Sequence, residues 1–261
     1  LKEATLSKVK RSLFRSFLNT GSIGSPVWSL IGEGVTAGAI AYNPKTTEET
    51  YIHEDSATTT VESYAPNFPL ESTAVAGDDV FEYIDTLRKD RGVLSSAESE
   101  IANVWLYKTA ICGFYPAERQ AASLQIDEFG GDGGQAAKLN YTINFLGDPT
   151  IGRFNPTPTA AWSDLTAESE VTLTSLTLGS GTLSPLFSAD HSNLFYTTSI
   201  AASSVTLASV LSGATIVQKC NGVTVAQGDP ASLNLGSNTI QITVTKSGKT
   251  AVYYIAATRT V

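Results

Sequence analysis

The stretch that most constrains this chain runs from Tyr51 to Tyr64, YIHEDSATTTVESY. It is rich in Thr, Val and Tyr and free of Pro and Gly, so its local preference is extended. A half-buried strand carries its apolar residues on one face, by alternation. Here one face holds Ile52, Glu54, Ser56, Thr58, Thr60 and Glu62, and the other holds Tyr51, His53, Asp55, Ala57, Thr59, Val61 and Ser63. Neither makes a core. A strand wet on both sides gains little from its own domain and exposes a row of unpaired backbone groups. The expectation is that another chain pairs with it, or that both faces meet solvent in an assembly. That points to a self-assembling structural protein rather than an enzyme.

Composition narrows the fold. With 261 residues there is room for one large or two ordinary domains with real cores. Only 16% of residues are charged, and small β-formers abound, which favours an all-β chain. The net charge of −8 makes the surface as a whole repel DNA. No run approaches the ~18 apolar residues of a membrane span, and the first residues lack the apolar core of a secretory leader. Cys112 and Cys220 fall in different expected domains, so they make no disulfide framework and fit assembly in a reducing cytoplasm. Two histidines, His53 and His191, leave little for hydrolase or metal schemes.

In chain order, residues 1–20 form an N-terminal arm with a basic cluster, Lys8, Lys10, Arg11 and Arg15, beside apolar Leu13, Phe14, Phe17 and Leu18. It is either a docking arm for a neighbouring subunit or a solvated terminus. Trp28–Ile31 and Val35–Tyr42 read as short strands. Asn43-Pro44 turns into a polar loop before the Tyr51–Tyr64 strand, and Leu70–Ala76 resumes after Pro66 and Pro69. The clear helix begins at Gly77 or Asp78, with Val80, Phe81, Ile84 and Leu87 as its apolar stripe. Acids sit at its start, bases at its end, and Gly92 is placed for the left-handed C′ position. Ile101–Thr109 is a strand. Glu118–Glu128 and Gln135–Leu146 form a hairpin around FGGDGG. Its apolar face is Leu139, Tyr141, Ile143 and Phe145 with Leu124 and Ile126. Its polar face is Lys138, Asn140, Thr142 and Asn144 with Ser123, Gln125 and Asp127.

Composition shifts at Arg153–Ala161, RFNPTPTAA, and the net charge before residue 161 is −7 of the total −8. The expected division is a first domain at 1–156, a linker at 157–170 and a second domain at 171–261. Strands are expected in the second domain at 171–178, 194–200, 203–210, 214–219, 222–227, 231–235, 238–246 and 250–259. Asn221-Gly222 and Ser247-Gly248 serve as tight turns, the rhythm of a β-sandwich.

Several motifs tempt. Gly32-Glu33-Gly34-Val35-Thr36-Ala37 matches a dinucleotide pattern, but a strand-like, Pro-terminated segment follows where a helix is required. Ser247-Gly248-Lys249-Thr250 resembles the end of a P-loop, but position 243 is Thr where the first glycine belongs. Asp127, Glu128 and Asp132 lack EF-hand spacing. No nucleophile elbow is present. Glu48-Glu49 and Glu54-Asp55 offer paired carboxylates with no cleft to place them in. Asn140-Tyr141-Thr142 is a glycosylation sequon inside a strand. No catalytic residue, cofactor or metal is expected.

The blocks SLIGEGVTAGAIAYNPKTTEETYIHEDSATTTVESYAPNFPLESTAVAGDDVFEYID, NVWLY and FYPAERQAASLQIDEFGGDGGQAAKLNYTINFLGDPTIGRFNP resemble the major tail protein of long-tailed bacteriophages over residues 8–156. Residues 173–258, marked by SLTLGSGTLSPLFSADHSNLFYTTSI, resemble a cadherin-like or Ig-like β-sandwich. The resemblance implies a mainly β chain, with a tail-tube β-sandwich or barrel carrying one packed α-helix, followed by an Ig-like decoration domain. It implies homo-hexameric rings stacked into a tube, contacts with tape-measure, terminator and baseplate proteins, and double-stranded DNA passing through without specific binding. Assembly would occur in the bacterial host cytoplasm, and the product would be part of a virion tail, with no membrane partner. Tyr51–Tyr64 would then be an inter-subunit strand. Ser123, Gln125, Asp127, Lys138, Asn140, Thr142 and Asn144 would line the channel, where neutral or acidic side chains avoid stalling phosphates. The alternatives are a tube of a headless tail-like particle, and a cell-surface or carbohydrate-binding adhesin with weak glycan contact by the second domain.

Overall fold

The computed structural model describes residues 8–190 and 193–261. Residues 1–7 of the expected arm and His191 lie outside them. The chain is mainly β, with eighteen strands and one α-helix among the described residues. It forms two compact units, Leu1–Trp105 with Ala117–Thr150 and Leu106–Pro116 with Ile151–Val261. The second unit thus opens at Ile151 and also takes in a segment from before residue 117.

The first unit contains β1 (Phe14–Asn19), β2 (Trp28–Leu30), β3 (Val35–Gly38), β4 (Pro44–Glu49), β5 (Thr58–Tyr64), β6 (Asn67–Ser72), α1 (Asp79–Asp90) and β7 (Glu98–Trp105). It also holds most of β8 (Tyr115–Gly130) and β9 (Lys138–Asn155). Its main sheet has the order β2-β1-β7-β8-β9-β6-β3, which leaves β2 and β3 as edges. Alternation sets the buried face: Leu139, Tyr141 and Ile143 of β9 and Leu124 of β8 are buried, with Ile126 and Phe145 partly so. Leu18, Phe68, Leu70 and Ile101 join them from β1, β6 and β7. Helix α1 covers this face with Val80, Ile84 and Leu87, each such buried side chain stabilising by ~1.5–3 kcal/mol.

The helix ends follow their chemistry. Asp78 is the N-cap, its carboxylate accepting from the Phe81 N–H at 2.9 Å. At the far end Arg91, not Gly92, adopts the left-handed conformation, with φ 51°. Gly92 instead lies close to the helix: a Cβ there would sit 2.2 Å from Cδ1 of Leu87, so a side chain would require the tip of Leu87 to shift. Asp85 is buried on the helix, where Lys89 and Arg88 hold its carboxyl below the usual range.

In the second unit the end of β9 pairs with β10 (Ala161–Asp164) in antiparallel register, from Asn155↔Ala161 to Gly152↔Asp164. The segment expected as a linker at 157–170 therefore contains a hydrogen-bonded strand. Beyond it come β11 (Ser175–Leu178), β12 (Phe195–Ile200), β13 (Ser204–Val210), β14 (Thr215–Cys220), β15 (Val223–Val225), β16 (Pro230–Ser232), β17 (Gly236–Lys246) and β18 (Lys249–Arg259). They make two sheets, β11-β13-β16 and β12-β18-β17-β14-β15, closed over one core. Strict alternation drives this: Ile240, Ile242 and Val244 face Ile255, Tyr253 and Ala251 in register, all buried. Asn221-Gly222 (φ 49° and 83°) and Ser247-Gly248 (φ 52° and 79°) turn the hairpins with positive φ at both positions. The Tyr253 hydroxyl accepts from the Leu173 N–H at 2.8 Å inside this core.

Candidate assembly surface

Strands β4 and β5 form a two-stranded sheet of their own, paired from Pro44↔Tyr64 to Glu49↔Thr58 and joined to no other strand among the described residues. All of β5 is exposed, and in β4 only Thr47 is partly covered. The wet strand expected at Tyr51–Tyr64 is thus half of a hairpin arm. Thr58, Thr60 and Glu62 lie on β5, whereas Tyr51, Ile52, Glu54 and Ser56 lie in the connecting loop at residues 50–57. The hairpin has a physical cause. An extended segment needs a backbone partner, and here that partner is the preceding PKTTEE, so the chain has to reverse before Thr58. Reading Pro44–Glu49 as a loop missed half of the arm. The available signal was Thr46-Thr47, β-branched residues that pair with Val61 and Thr60, and Pro44 is acceptable as the first residue of an edge strand.

The arm is held by polar contacts. Lys45 Nζ lies 2.9 Å from Glu62 Oε2, and the Thr47 hydroxyl donates to the other oxygen. Thr47 first, then Lys45, lowers the Glu62 pKa below the ordinary glutamate value. In the loop, Tyr51 stacks on His53 with centroids 6.1 Å apart, and Ile52 is wholly exposed. The arm carries one lysine against five carboxylates. Glu48 and Glu49 are neighbours on a strand, so they point to opposite faces and form no catalytic pair. At the arm's root, Tyr42, Tyr64, Pro66 and Phe145 line a cleft of about 780 Å³ whose acidic residues are Glu118 and Asp148.

The polar side of β8 and β9 is a linked network. Thr142 Oγ1 and Gln125 Nε2 both donate to Asp127 at 2.6 Å, and Asn144 Nδ2 donates to Gln125 at 3.5 Å. Asn140 donates to Glu128 at 3.1 Å and accepts from the Ser72 N–H. Gln125, Asp127 and Lys138 are exposed, while Ser123, Asn140 and Asn144 are half-covered. Thr142 is buried, at 9% exposure, so it braces Asp127 rather than facing open solvent. Ser123 pairs in register with Glu98 of β7, and Lys138 bridges to Thr73.

The remaining motifs resolve structurally. Gly34, with φ 74°, turns into strand β3, and no helix opens there. Ser247-Gly248 is a hairpin turn. Asp127 and Glu128 are taken up by hydrogen bonds, and no group of three His, Cys, Asp or Glu able to hold a metal occurs among the described residues. Burial pushes the Cys112 thiol up to about 11, away from nucleophilic use. Among the described residues no helix is long and apolar enough to cross a membrane.

No family model and no curated protein matches the chain. Among solved structures it is similar to a chain of the anti-feeding prophage baseplate, determined by cryo-EM with sixfold symmetry imposed. The identity is 10%, the match covers 57% of this chain and 96% of that one, and the TM-score is 0.34. A likeness at that level bears on neither fold nor function.

Proposed function

We propose that this chain is a structural subunit of a phage tail or tail-like particle, and that its rings of six stack into a tube that conducts DNA. The observation that carries the reading is the arm Pro44–Tyr64. A lone two-stranded hairpin is marginal in water, so one that is exposed along its strands and pairs with no other strand among the described residues is best explained by a partner that completes it. The polar network around Asp127 suits a wet wall, since its Asn, Gln and Thr side chains offer DNA phosphates no cation to bind. The Ig-like sandwich would decorate the outside. The test is negative-stain electron microscopy of the concentrated protein. Rings or hollow tubes with lateral knobs support the reading. Particles that remain monomeric at every concentration remove it.

A further inference from the structure

The arm needs an acceptor, and the first unit carries one of matching charge. Beside the start of β1, a groove of about 660 Å³ is lined by Arg11, Phe14 and Arg15, by Leu30 of β2, and by Val35 and Thr36 of β3. It lies along both edges of the main sheet, because among the described residues β2 pairs only with β1 and β3 only with β6. Arg11 and Arg15 reach backbone carbonyls of Phe14 and Ser12. Among the described residues, none of Lys8, Lys10, Arg11 and Arg15 has a carboxylate ion-pair partner, and Lys8, Lys10, Arg11 and Arg15 are all exposed. Arg11 and Arg15, two of the four bases in the cluster read from sequence as a docking arm or a solvated terminus, thus stand in one wall of a groove between open strand edges.

Resting on the assembly reading above, we infer that the acidic arm of one copy docks in the Arg11/Arg15 groove of a second copy. Glu48, Glu49 and Asp55 of the arm have no cationic partner among the described residues. Among the described residues the outer edges of β4 and β5 are unpaired, as are those of β2 and β3, so backbone pairing supplies the contact and charge sets its partner and register. The cleft at the arm's own root is the poorer acceptor, since Glu118 and Asp148 would repel the arm. Arm and groove are different patches of one chain. The contact is therefore head-to-tail and propagates, closing into a ring or continuing as a filament.

A charge swap in the full chain, read by sedimentation velocity over a concentration series, tests this. One variant carries Glu48→Lys, Glu49→Lys and Asp55→Lys; the other carries Arg11→Glu and Arg15→Glu. Each alone sets like charges against each other and is expected to need at least about tenfold more protein to associate. An equimolar mixture, in which each arm meets the opposite groove, is expected to recover wild-type association, which also shows that both variants are folded. A mixture that stays dissociated overturns the pairing. If the groove variant associates like wild type while a chain with residues 44–64 replaced by a two-residue turn does not, the acceptor is wrong and the arm's role stands. If the arm-deleted chain associates normally, or the wild type never associates, both readings fall.

Discussion

Glu62 of β5 binds Lys45 of β4 beside the one register shift in the arm, with 2.9 Å between ammonium and carboxylate. The Thr47 hydroxyl occupies the second carboxylate oxygen. Both contacts favour the ionised form, so the folded arm holds the Glu62 pKa below that of the unfolded chain. The stabilisation is therefore complete above the ordinary glutamate range and disappears as pH falls through the lowered value. An NMR titration of the Glu62 carboxyl carbon should show this depressed midpoint. In Lys45→Ala the midpoint should rise toward the ordinary value, and in Glu62→Gln the arm's amide exchange should lose its acid dependence.

Ile84 is completely buried between α1 and the sheet, whereas Val61 of the arm is about half exposed. Ile84→Ala should cost ~2–5 kcal/mol, and Val61→Ala should stay within ~0.5 kcal/mol. Denaturant titrations followed by the fluorescence of Trp28 and Trp105, both in the first unit, would measure the two costs.

Tyr253 gives the Leu173 N–H its acceptor inside the second core, and burial raises the phenol's pKa. Tyr253→Phe keeps the ring but orphans that amide, at a cost of ~1–3 kcal/mol. Denaturation of the second unit, followed at Trp162, should shift accordingly. An unchanged midpoint would show that another group reaches Leu173.

Gly152 of β9 lies under the indole of Trp162, and a Cβ there would sit 2.2 Å from ring carbon Cζ2. Gly152→Ala should displace the ring and break its 2.8 Å hydrogen bond from Nε1 to Asp164. The destabilisation should be ~1–3 kcal/mol, with faster hydrogen exchange at the Trp162 indole N–H as the direct sign.

Where structure is written in local chemistry, the sequence is readable. The Asp78 cap, the Val80–Leu87 stripe, the Asn221-Gly222 and Ser247-Gly248 turns and the alternation at 139–143 and 240–244 each encode their geometry within a few residues. What stayed hidden is non-local. Pro44–Glu49 has no apolar alternation and becomes a strand only because Thr58–Tyr64 returns alongside it. Ala161–Asp164 follows Pro156 and Pro158 and looks like a spacer, yet it pairs with the end of β9. The polar face shows the same boundary. Alternation placed Gln125, Asp127, Thr142 and Asn144 together, but it does not report depth, and Thr142 proved buried.

The isolation of the arm has an evolutionary consequence. Its side chains contribute little to the core that folds the first unit, so substitutions at Thr58–Tyr64 escape the selection that guards Ile84 or Leu139. Selection reaches them only through whatever the arm touches. Such a segment is free to drift in concert with its acceptor, and two lineages with the same scaffold can become mutually incompatible by charge alone.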